Sequence, residues 1–211
     1  MELSYGWALD AARQNLYSAA MNRILILLVV TFLAATALFL NINSHTDTTN
    51  GEVPIGGDFN LMTHTGDQVT NESFRGKPRL VYFGFTHCPD ICPTGLSTME
   101  AALEELRGDA PVGLFITVAP ERDTRESLGV YMQNFPKIIG LTGTPEQIKA
   151  VAQTYKIYYK KVENKESPED YTVDHSSLIY LLDGDGKYLA HFPHTVTPLE
   201  LAARIRRQLH E

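Results

Sequence analysis

The chain contains 211 residues, with 18 lysines and arginines against 25 aspartates and glutamates, so its formal net charge is −7 at pH 7. An acidic protein is a poor electrostatic match for nucleic acid or anionic lipid, which argues against either as a partner held by charge. Only two cysteines are present, Cys88 and Cys92, so iron–sulfur clusters and four-cysteine zinc sites are excluded.

An apolar stretch near the N-terminus predicts a membrane anchor. Residues 24–40 are apolar except for Thr31 and Thr36, and with a residue or two on each side this length just spans a hydrocarbon core of about 30 Å. A cleaved signal peptide is the competing interpretation, because residues 35–37 resemble a small-residue cleavage site. The long preceding segment and the apolar residues that follow favour an uncleaved helix.

Flanking charge predicts the orientation of this anchor. Arg13 and Arg23 precede it, and no lysine or arginine follows it closely. Cytoplasmic flanks carry the excess of basic residues, so residues 1–23 are expected in the cytoplasm. Residues 41–56 are polar and predict a tether, and residues 57–211 predict a domain on the periplasmic side of a bacterial inner membrane.

The globular region begins with a predicted hairpin and a buried strand. Two short extended runs, 59–62 and 68–70, flank a turn signal at 64–67. The run 80–85 is almost wholly apolar, as expected of a strand buried on both faces, and is the best candidate for a central strand. A helix with apolar residues at three- and four-residue spacing then starts within the cysteine motif and ends near Gly108.

Strands and helices alternate after this point. Residues 112–118 predict a second buried strand and residues 125–135 a helix. A further helix over 144–155 is opened by a capping box of Thr144 and Gln147. We expect such an alternation to form a mostly parallel sheet with helices on both faces.

The last third of the chain predicts a hairpin and a terminal helix. Two apolar runs, 177–182 and 187–192, flank an Asp- and Gly-rich turn at 183–186. A helix opens at Thr197 with a second capping box and runs through Leu209. A β-α-β unit followed by β-β-α is the thioredoxin plan. The predicted class is therefore an α/β thioredoxin-like fold with an N-terminal hairpin and a single N-terminal transmembrane helix.

The Cys-x-x-x-Cys pair lies where the central strand meets the following helix. Free backbone N–H groups and the helix dipole favour thiolate there. Thiolate is both the nucleophile of disulfide exchange and a soft metal ligand, so both roles are open. A structural disulfide is the weakest explanation, because so short a loop adds little stability. Dedicated thioredoxin-like oxidoreductases use Cys-x-x-Cys, so the longer spacing favours metal.

Two thiolates and one imidazole suit Cu(I), which accepts few and soft ligands, so a histidine is the expected third ligand. Ordinary surface or turn roles are expected for five of the seven histidines, namely His45, His64, His191, His194 and His210. His87 adjoins Cys88, but consecutive side chains on an extended segment point to opposite faces. His175 enters the late core strand at the edge facing the cysteines, if the thioredoxin plan holds.

Four ordered motifs stand out in the predicted domain. They are residues 84–93 (GFTHCPDICP), 120–124 (PERDT), 140–144 (GLTGT) and 173–176 (VDHS). With these motifs the chain strongly resembles the Sco (SenC) family of copper chaperones for cytochrome c oxidase assembly. The resemblance covers roughly residues 55–211, together with the single N-terminal anchor.

The resemblance implies a thioredoxin fold in which Cys88, Cys92 and His175 bind copper, as Cu(I), Cu(II) or both. It implies delivery of copper to the dinuclear centre of oxidase subunit II, or reduction of that subunit's cysteines, with other periplasmic copper chaperones or thiol reductases as further partners. The family usually has Asp where this chain has Ala119, so a role of that carboxylate does not carry over. Asp90 matches the family and is expected to cap the helix.

Other functions remain open from the residues alone. A thiol–disulfide oxidoreductase would use Cys88 and Cys92 as a redox-active pair without metal, and enzymatic activity is expected only in that case. A copper- or redox-sensing protein would use the same ligands. A peroxiredoxin-type peroxidase has the same fold but needs a Thr- and Pro-containing cysteine turn unlike this one. His175 separates the chaperone from the metal-free oxidoreductase, which does not need it.

Overall fold

The chain divides into two compact units, Met1–Glu52 and Val53–Glu211. The computed structural model describes residues 27–36, 55–163 and 171–210. Within these described residues, all the strands and every helix after the first lie in the second unit.

Part of the predicted anchor is helical. Residues 27–36 form a helix, α1, with exposed apolar side chains such as Leu27 and Phe32. Among the helices of the described residues, none combines the length and apolar composition needed to cross a membrane. The rest of the predicted anchor, the predicted cytoplasmic segment and most of the predicted tether lie outside the described residues.

The second unit contains nine strands and four longer helices within its described residues. The strands are β1 (Asn60–Thr63), β2 (Gln68–Thr70), β3 (Arg79–Gly84), β4 (Val112–Thr117), β5 (Ile138–Thr142), β6 (Tyr159–Val162), β7 (Thr172–His175), β8 (Leu178–Leu182) and β9 (Tyr188–Pro193). The helices are α2 (Ile91–Leu106), α3 (Arg125–Met132), α4 (Pro145–Thr154) and α5 (Pro198–His210).

Seven strands form one mixed sheet in the order β2-β1-β5-β4-β3-β8-β9. The pairs β3–β4 and β4–β5 are parallel, and the other pairs of this sheet are antiparallel. The prediction of a mostly parallel sheet is therefore wrong, because a hairpin extends the parallel centre on each side. The α/β thioredoxin-like class and both predicted hairpins are confirmed.

β3 lies between β4 and β8 with every residue buried, as predicted for the central strand. Its last residue, Gly84, allows α2 to approach closely. A Cβ at this position would lie 2.8 Å from the Cys92 Sγ and 2.8 Å from the Phe115 Cε2. Any larger residue would therefore push the cysteine helix away from the sheet.

Each predicted helix forms, and the predicted capping box of α4 is present. The buried face of α2 carries Cys92, Gly95, Leu96, Thr98, Met99, Ala102, Leu103 and Leu106, and the helix packs on α5. At the start of α4, Thr144 Oγ1 accepts from the Gln147 N–H and Gln147 Oε1 accepts from the Thr144 N–H at 2.8 Å, which is the predicted capping box. α3 ends at Met132, slightly before the predicted end at 135.

β6 and β7 pair with each other and form a separate two-stranded sheet that the hydrophobic pattern does not predict. β6 carries Lys160 and Lys161 and is largely exposed, so it lacks an apolar signature. His175 is the last residue of β7 and precedes the core strand β8, so it faces the cysteines from a short strand that the sequence does not predict.

Candidate metal centre

The junction between β3 and α2 places both cysteines. The Cys88 N–H donates to the Phe85 carbonyl oxygen at 3.3 Å, which closes the turn after β3. Cys92 is the second residue of α2 and is fully buried. Its backbone N–H donates to the Cys88 Sγ at 3.3 Å. The Cys88 sulfur therefore receives one of the free N–H groups of the first helical turn.

The residue expected to cap α2 does not do so through its side chain. Asp90 occupies the N-cap position, but its side chain makes no capping hydrogen bond. Its Oδ1 instead accepts from the Thr94 Oγ1 at 3.5 Å. The prediction for Asp90 is wrong because the Cys88 sulfur already accepts the N–H of Cys92 that a capping carboxylate would take.

The two thiols differ in acidity. A hydrogen bond from the Cys92 thiol, aided by His175 and by the backbone N–H groups of Cys92 and Asp90, lowers the pKa of Cys88 to about 4 despite partial burial. The same hydrogen bond, together with burial, raises the pKa of Cys92. At neutral pH Cys88 is therefore the thiolate of the pair, and it is also the more exposed of the two.

His175 completes the group from the end of β7. Its Nε2 lies 3.4 Å from the Cys92 Sγ. Its Nδ1 lies 3.1 Å from the Ser176 carbonyl oxygen, which can only accept a hydrogen bond. The Nδ1 therefore donates to this oxygen, and the contact turns the Nε2 toward the sulfurs.

The structure brings all three predicted site residues together. The Sγ atoms of Cys88 and Cys92 and a ring nitrogen of His175 lie within 4.8 Å of one another. Within the described ranges, no other cluster of three His, Cys, Asp or Glu side chains has a comparable arrangement. Two sulfurs and one nitrogen are a soft donor set suited to a metal ion.

A cleft of about 570 Å³ opens beside Cys88, between the start of α2 and β7. Its lining includes Ile91 and Tyr158, whose exposed fractions are 39% and 61%. Cys88 and His175 also line it, whereas Cys92 lies behind them. A partner entering this cleft would therefore meet Cys88 and His175 first.

The sequence model of the SCO1/SenC family matches residues 47–210. The chain belongs to the SCO1/SenC family. Among curated SCO1/SenC relatives, the human mitochondrial SCO1 homologue is 42% identical over 160 residues, which are 74% of this chain and 53% of the human protein. The chain thus spans about half the length of this relative.

Solved structures of SCO1/SenC proteins share the fold. The copper-bound structure of Bradyrhizobium japonicum ScoI is 44% identical, with a TM-score of 0.68, and the match covers 74% of this chain and 99% of ScoI. A structure of BsSco, described as showing a disulfide switch in a member of the Sco family of cytochrome c oxidase assembly proteins, is 25% identical, with a TM-score of 0.57 and coverage of 74% and 96%.

Among the described residues, no histidine other than His175 belongs to the group formed with Cys88 and Cys92. His87, whose side chain is 57% exposed, places its Nδ1 2.9 Å from the Thr86 Oγ1. His64 accepts a hydrogen bond from a backbone N–H, and His191 contacts a tyrosine hydroxyl. His45 lies outside the described residues.

One carboxylate that the sequence analysis did not single out lies behind the cysteine turn. Asp123 is fully buried, and its oxygens accept from the Thr86 N–H at 2.9 Å, the Thr86 Oγ1 at 2.6 Å and the Thr117 Oγ1 at 2.7 Å. Thr86 comes two residues before Cys88, so Asp123 fixes the start of the turn. One feature of the sequence points to Asp123. The segment 120–124 follows β4, and the carboxyl end of β4 lies beside that of parallel β3, where the cysteine turn begins.

Ala119 lies two residues after β4. It is buried, with an exposed fraction of 3%, and lines a second cavity of about 190 Å³ together with Glu121, Lys161 and Tyr171. A methyl group at this position cannot accept a hydrogen bond from the cysteine turn. Among the described residues, Asp123 provides the carboxylate that does so.

Proposed function

We propose that this chain is a membrane-anchored copper metallochaperone that supports assembly of the dinuclear copper centre of cytochrome c oxidase subunit II. The observation that carries the proposal is the Cys88, Cys92 and His175 group, whose donor atoms lie within 4.8 Å of one another. Copper in the ScoI structure, and the description of BsSco as a member of a family of oxidase assembly proteins, support it.

Copper fits this donor set better than the common alternatives. Cu(I) is satisfied by two or three soft ligands, and Cu(II) gains from an imidazole beside thiolate. Structural zinc needs four ligands, and only three are grouped among the described residues. Copper is the cargo of the site, and Cys88, Cys92 and His175 would hold it until an acceptor binds in the cleft beside Cys88.

Thiol–disulfide exchange is a second candidate function, favoured by the low pKa of the half-exposed Cys88. The Cys88 thiolate would attack a disulfide of subunit II and form a mixed disulfide, releasing one thiolate of the subunit. Cys92, after losing its proton, would attack the Cys88 sulfur and release the second thiolate. The chain would then hold a Cys88–Cys92 disulfide, which a periplasmic thiol reductase would have to reduce.

The membrane arrangement belongs to the same proposal. Residues 24–40 anchor the chain in the bacterial inner membrane with residues 1–23 in the cytoplasm, and residues 41–56 tether the domain. The copper-binding domain, residues 57–211, then lies in the periplasm. The apolar composition of the anchor and the arginines that precede it support this orientation.

The copper site is tested by titrating the purified, reduced full chain with Cu(I) and, separately, with Cu(II) against competing chelators. We expect one copper ion per chain. His175→Ala should weaken Cu(II) binding more than about 100-fold. Loss of a residue that only hydrogen-bonds to a metal ligand already lowers metal affinity about 10- to 100-fold, and loss of the ligand itself should lower it further. The control His87→Ala changes an exposed imidazole next to Cys88 and should bind copper like the wild type. Unchanged affinity in His175→Ala would remove that ligand.

Oxidase maturation separates the candidate functions. Variants are returned to cells that lack the chain, and the copper content of oxidase subunit II is measured. A metallochaperone requires Cys88, Cys92 and His175. An oxidoreductase requires both cysteines and tolerates His175→Ala. A copper sensor binds copper but leaves subunit II metallation unchanged when the chain is absent.

A further inference from the structure

Arg122 contacts Tyr171, which lies four residues before His175, and Phe85, whose ring packs on the His175 ring. Its Nη1 donates to the Tyr171 carbonyl oxygen at 2.9 Å, and its Cζ lies 4.1 Å from the centroid of the Tyr171 ring. The same Cζ lies 5.7 Å from the centroid of the Phe85 ring. The Phe85 ring meets the His175 ring edge to face, with centroids 5.9 Å apart and planes at 83°. The guanidinium thus contacts two aromatic residues, of which one directly packs on the imidazole.

We propose that Arg122 is a positioning residue of the metal centre, which sets the place of His175 relative to the two sulfurs without itself binding metal. Tyr171 directly precedes β7, and β7 ends at His175. Arg122 therefore holds the start of this strand through Tyr171 and confines the imidazole at its end through Phe85. This inference rests on the proposed copper-binding function.

The strand that carries His175 has limited support from the rest of the fold. β7 pairs with β6 in a sheet separate from the seven-stranded sheet, and an isolated two-stranded sheet is marginally stable in water. Lys161 of β6 forms a 3.5 Å ion pair with Glu121, but both side chains are exposed, so this pair adds little. Val173 is buried and anchors the middle of β7. Arg122 and Tyr171 are therefore the main polar and aromatic attachment at its start.

Stacking on two rings and one hydrogen bond together hold the guanidinium in place. The Nε and Nη2 atoms of Arg122 are buried without a hydrogen-bond partner. Unsatisfied buried donors are costly, and the faces of Tyr171 and Phe85 offset that cost through cation–π attraction. Lys161 places a second cation 4.0 Å from the centroid of the Tyr171 ring. The guanidinium of Arg122 contacts both rings and also donates to the Tyr171 carbonyl oxygen, a combination that a single lysine ammonium reproduces poorly.

Asp123, the next residue, supports the other half of the centre. It accepts the two hydrogen bonds of Thr86 at the start of the cysteine turn, whereas Arg122 holds the strand of His175. Arg122 and Asp123 are adjacent in the chain. Together they therefore connect the strand that carries His175 to the turn that carries Cys88. A change at Arg122 should affect the imidazole more than the cysteine turn, because Arg122 reaches that turn only through the Phe85 ring, whereas Asp123 binds it directly.

Four variants test the proposal in the full chain. Arg122→Met keeps an apolar stem but removes the charge and the planar group. Tyr171→Leu removes the ring and keeps the backbone carbonyl, whereas Tyr171→Phe keeps the ring. Arg125→Met is the matched control, because Arg125 is an exposed arginine three residues away that pairs with its neighbour Glu126.

The first measurement is NMR of the copper-free chain. Arg122→Met and Tyr171→Leu should shift the ring signals of His175 and the amide signals of β7 clearly more than the amide signals of Cys88 and Cys92. The second is copper affinity and the Cu(II) absorption and EPR spectra. Cu(II) binding should weaken about 10-fold in both variants, which equals about 1.4 kcal/mol, with altered spectra. Cu(I) binding should change less, because both thiolates remain.

Tyr171→Phe and Arg125→Met should match the wild type in every measurement. If Arg122→Met and Tyr171→Leu leave the His175 ring signals unmoved and the Cu(II) affinity unchanged, the proposal is wrong. An equal loss of Cu(I) and Cu(II) affinity with a lowered free energy of unfolding would indicate a general structural role and also overturn it. If the wild-type chain binds no copper, the proposed function fails, and the ring signals of the copper-free variants still decide the role of Arg122.

Discussion

Cys88 and Cys92 carry the same side chain in unlike surroundings. Cys88 is half-exposed and accepts the N–H of Cys92 at the first turn of α2, whereas the Cys92 sulfur is buried 3.4 Å from the His175 Nε2. Their pKa values consequently move in opposite directions. Binding of a metal ion by both sulfurs must therefore release a proton from the buried thiol.

This difference predicts the pH dependence of alkylation in the reduced, copper-free chain. Because the pKa of Cys88 is lowered to about 4 from the ordinary 9.0, the thiolate is present above pH 4 and is lost as the pH falls through that value. Iodoacetamide should modify Cys88 at a nearly constant rate from pH 5 to pH 8. Peptide mass spectrometry should find Cys92 unmodified.

The urea-unfolded chain is the control for this measurement. Both thiols should then behave ordinarily, with a rate that falls about tenfold for each pH unit below a pKa of about 8.5. The same steep dependence in the folded chain would contradict a lowered pKa at Cys88.

At the scale of elements, the close approach of α2 to β3 controls the position of Cys92. Gly84→Ala would place a methyl group 2.8 Å from both the Cys92 Sγ and the Phe115 Cε2. Overpacking of this kind costs about 1–3 kcal/mol, so the free energy of unfolding in urea should fall by that amount. Copper affinity should fall as well, because α2 has to move away from the strand.

Gly108→Ala provides a matched substitution beyond the far end of α2. A Cβ there would meet no atom within 4 Å, so stability should change by less than about 0.5 kcal/mol. Equal stability of the two variants would show that the contact at Gly84 is relieved without cost.

Local signals predict several elements well and miss others for physical reasons. The apolar run of β3 and the capping box of α4 reside within a few adjacent residues, so both are readable in the sequence. β5 is missed because its Gly140, which admits the Met132 side chain of α3, interrupts the apolar pattern. β6 is missed because its side chains are polar and exposed.

The metal centre is predicted from sequence only in part. The two cysteines form a local motif, and their position at a strand-to-helix turn follows from neighbouring residues. His175 is 83 residues from Cys92, so no local pattern joins them and the family resemblance was needed. Asp123 is not predicted because a buried carboxylate that binds mainly threonines and a backbone N–H has no distinct sequence signature.

For the whole molecule, anchoring and copper binding should be separable functions. The described core side chains of Val53–Glu211 form one hydrophobic cluster, so this unit should fold without residues 1–40. Removal of residues 1–40, with a cleavable export signal in their place, should move the protein from the membrane fraction to the soluble periplasmic fraction. Copper affinity should remain as in the full chain, and maturation of oxidase subunit II should fall.

A full chain found in the soluble fraction after carbonate extraction would contradict the proposed anchor. A truncated chain that binds no copper would show that the N-terminal residues contribute to the fold or the site. A matched chain in which a different apolar segment replaces residues 24–40 should restore both membrane attachment and oxidase maturation.

The proposed ligands are divided between two sheets, since the cysteines belong to the junction of β3 and α2 and the histidine to the β6–β7 pair. A small peripheral sheet opens at a lower free energy than the core and can do so without global unfolding. Such opening would move the imidazole away from the site, while both sulfurs would keep their positions at the start of α2. Cu(I), which two thiolates can hold, would survive the opening, whereas Cu(II) would lose its nitrogen ligand. The relative affinities for Cu(I) and Cu(II) would then depend on a local unfolding equilibrium.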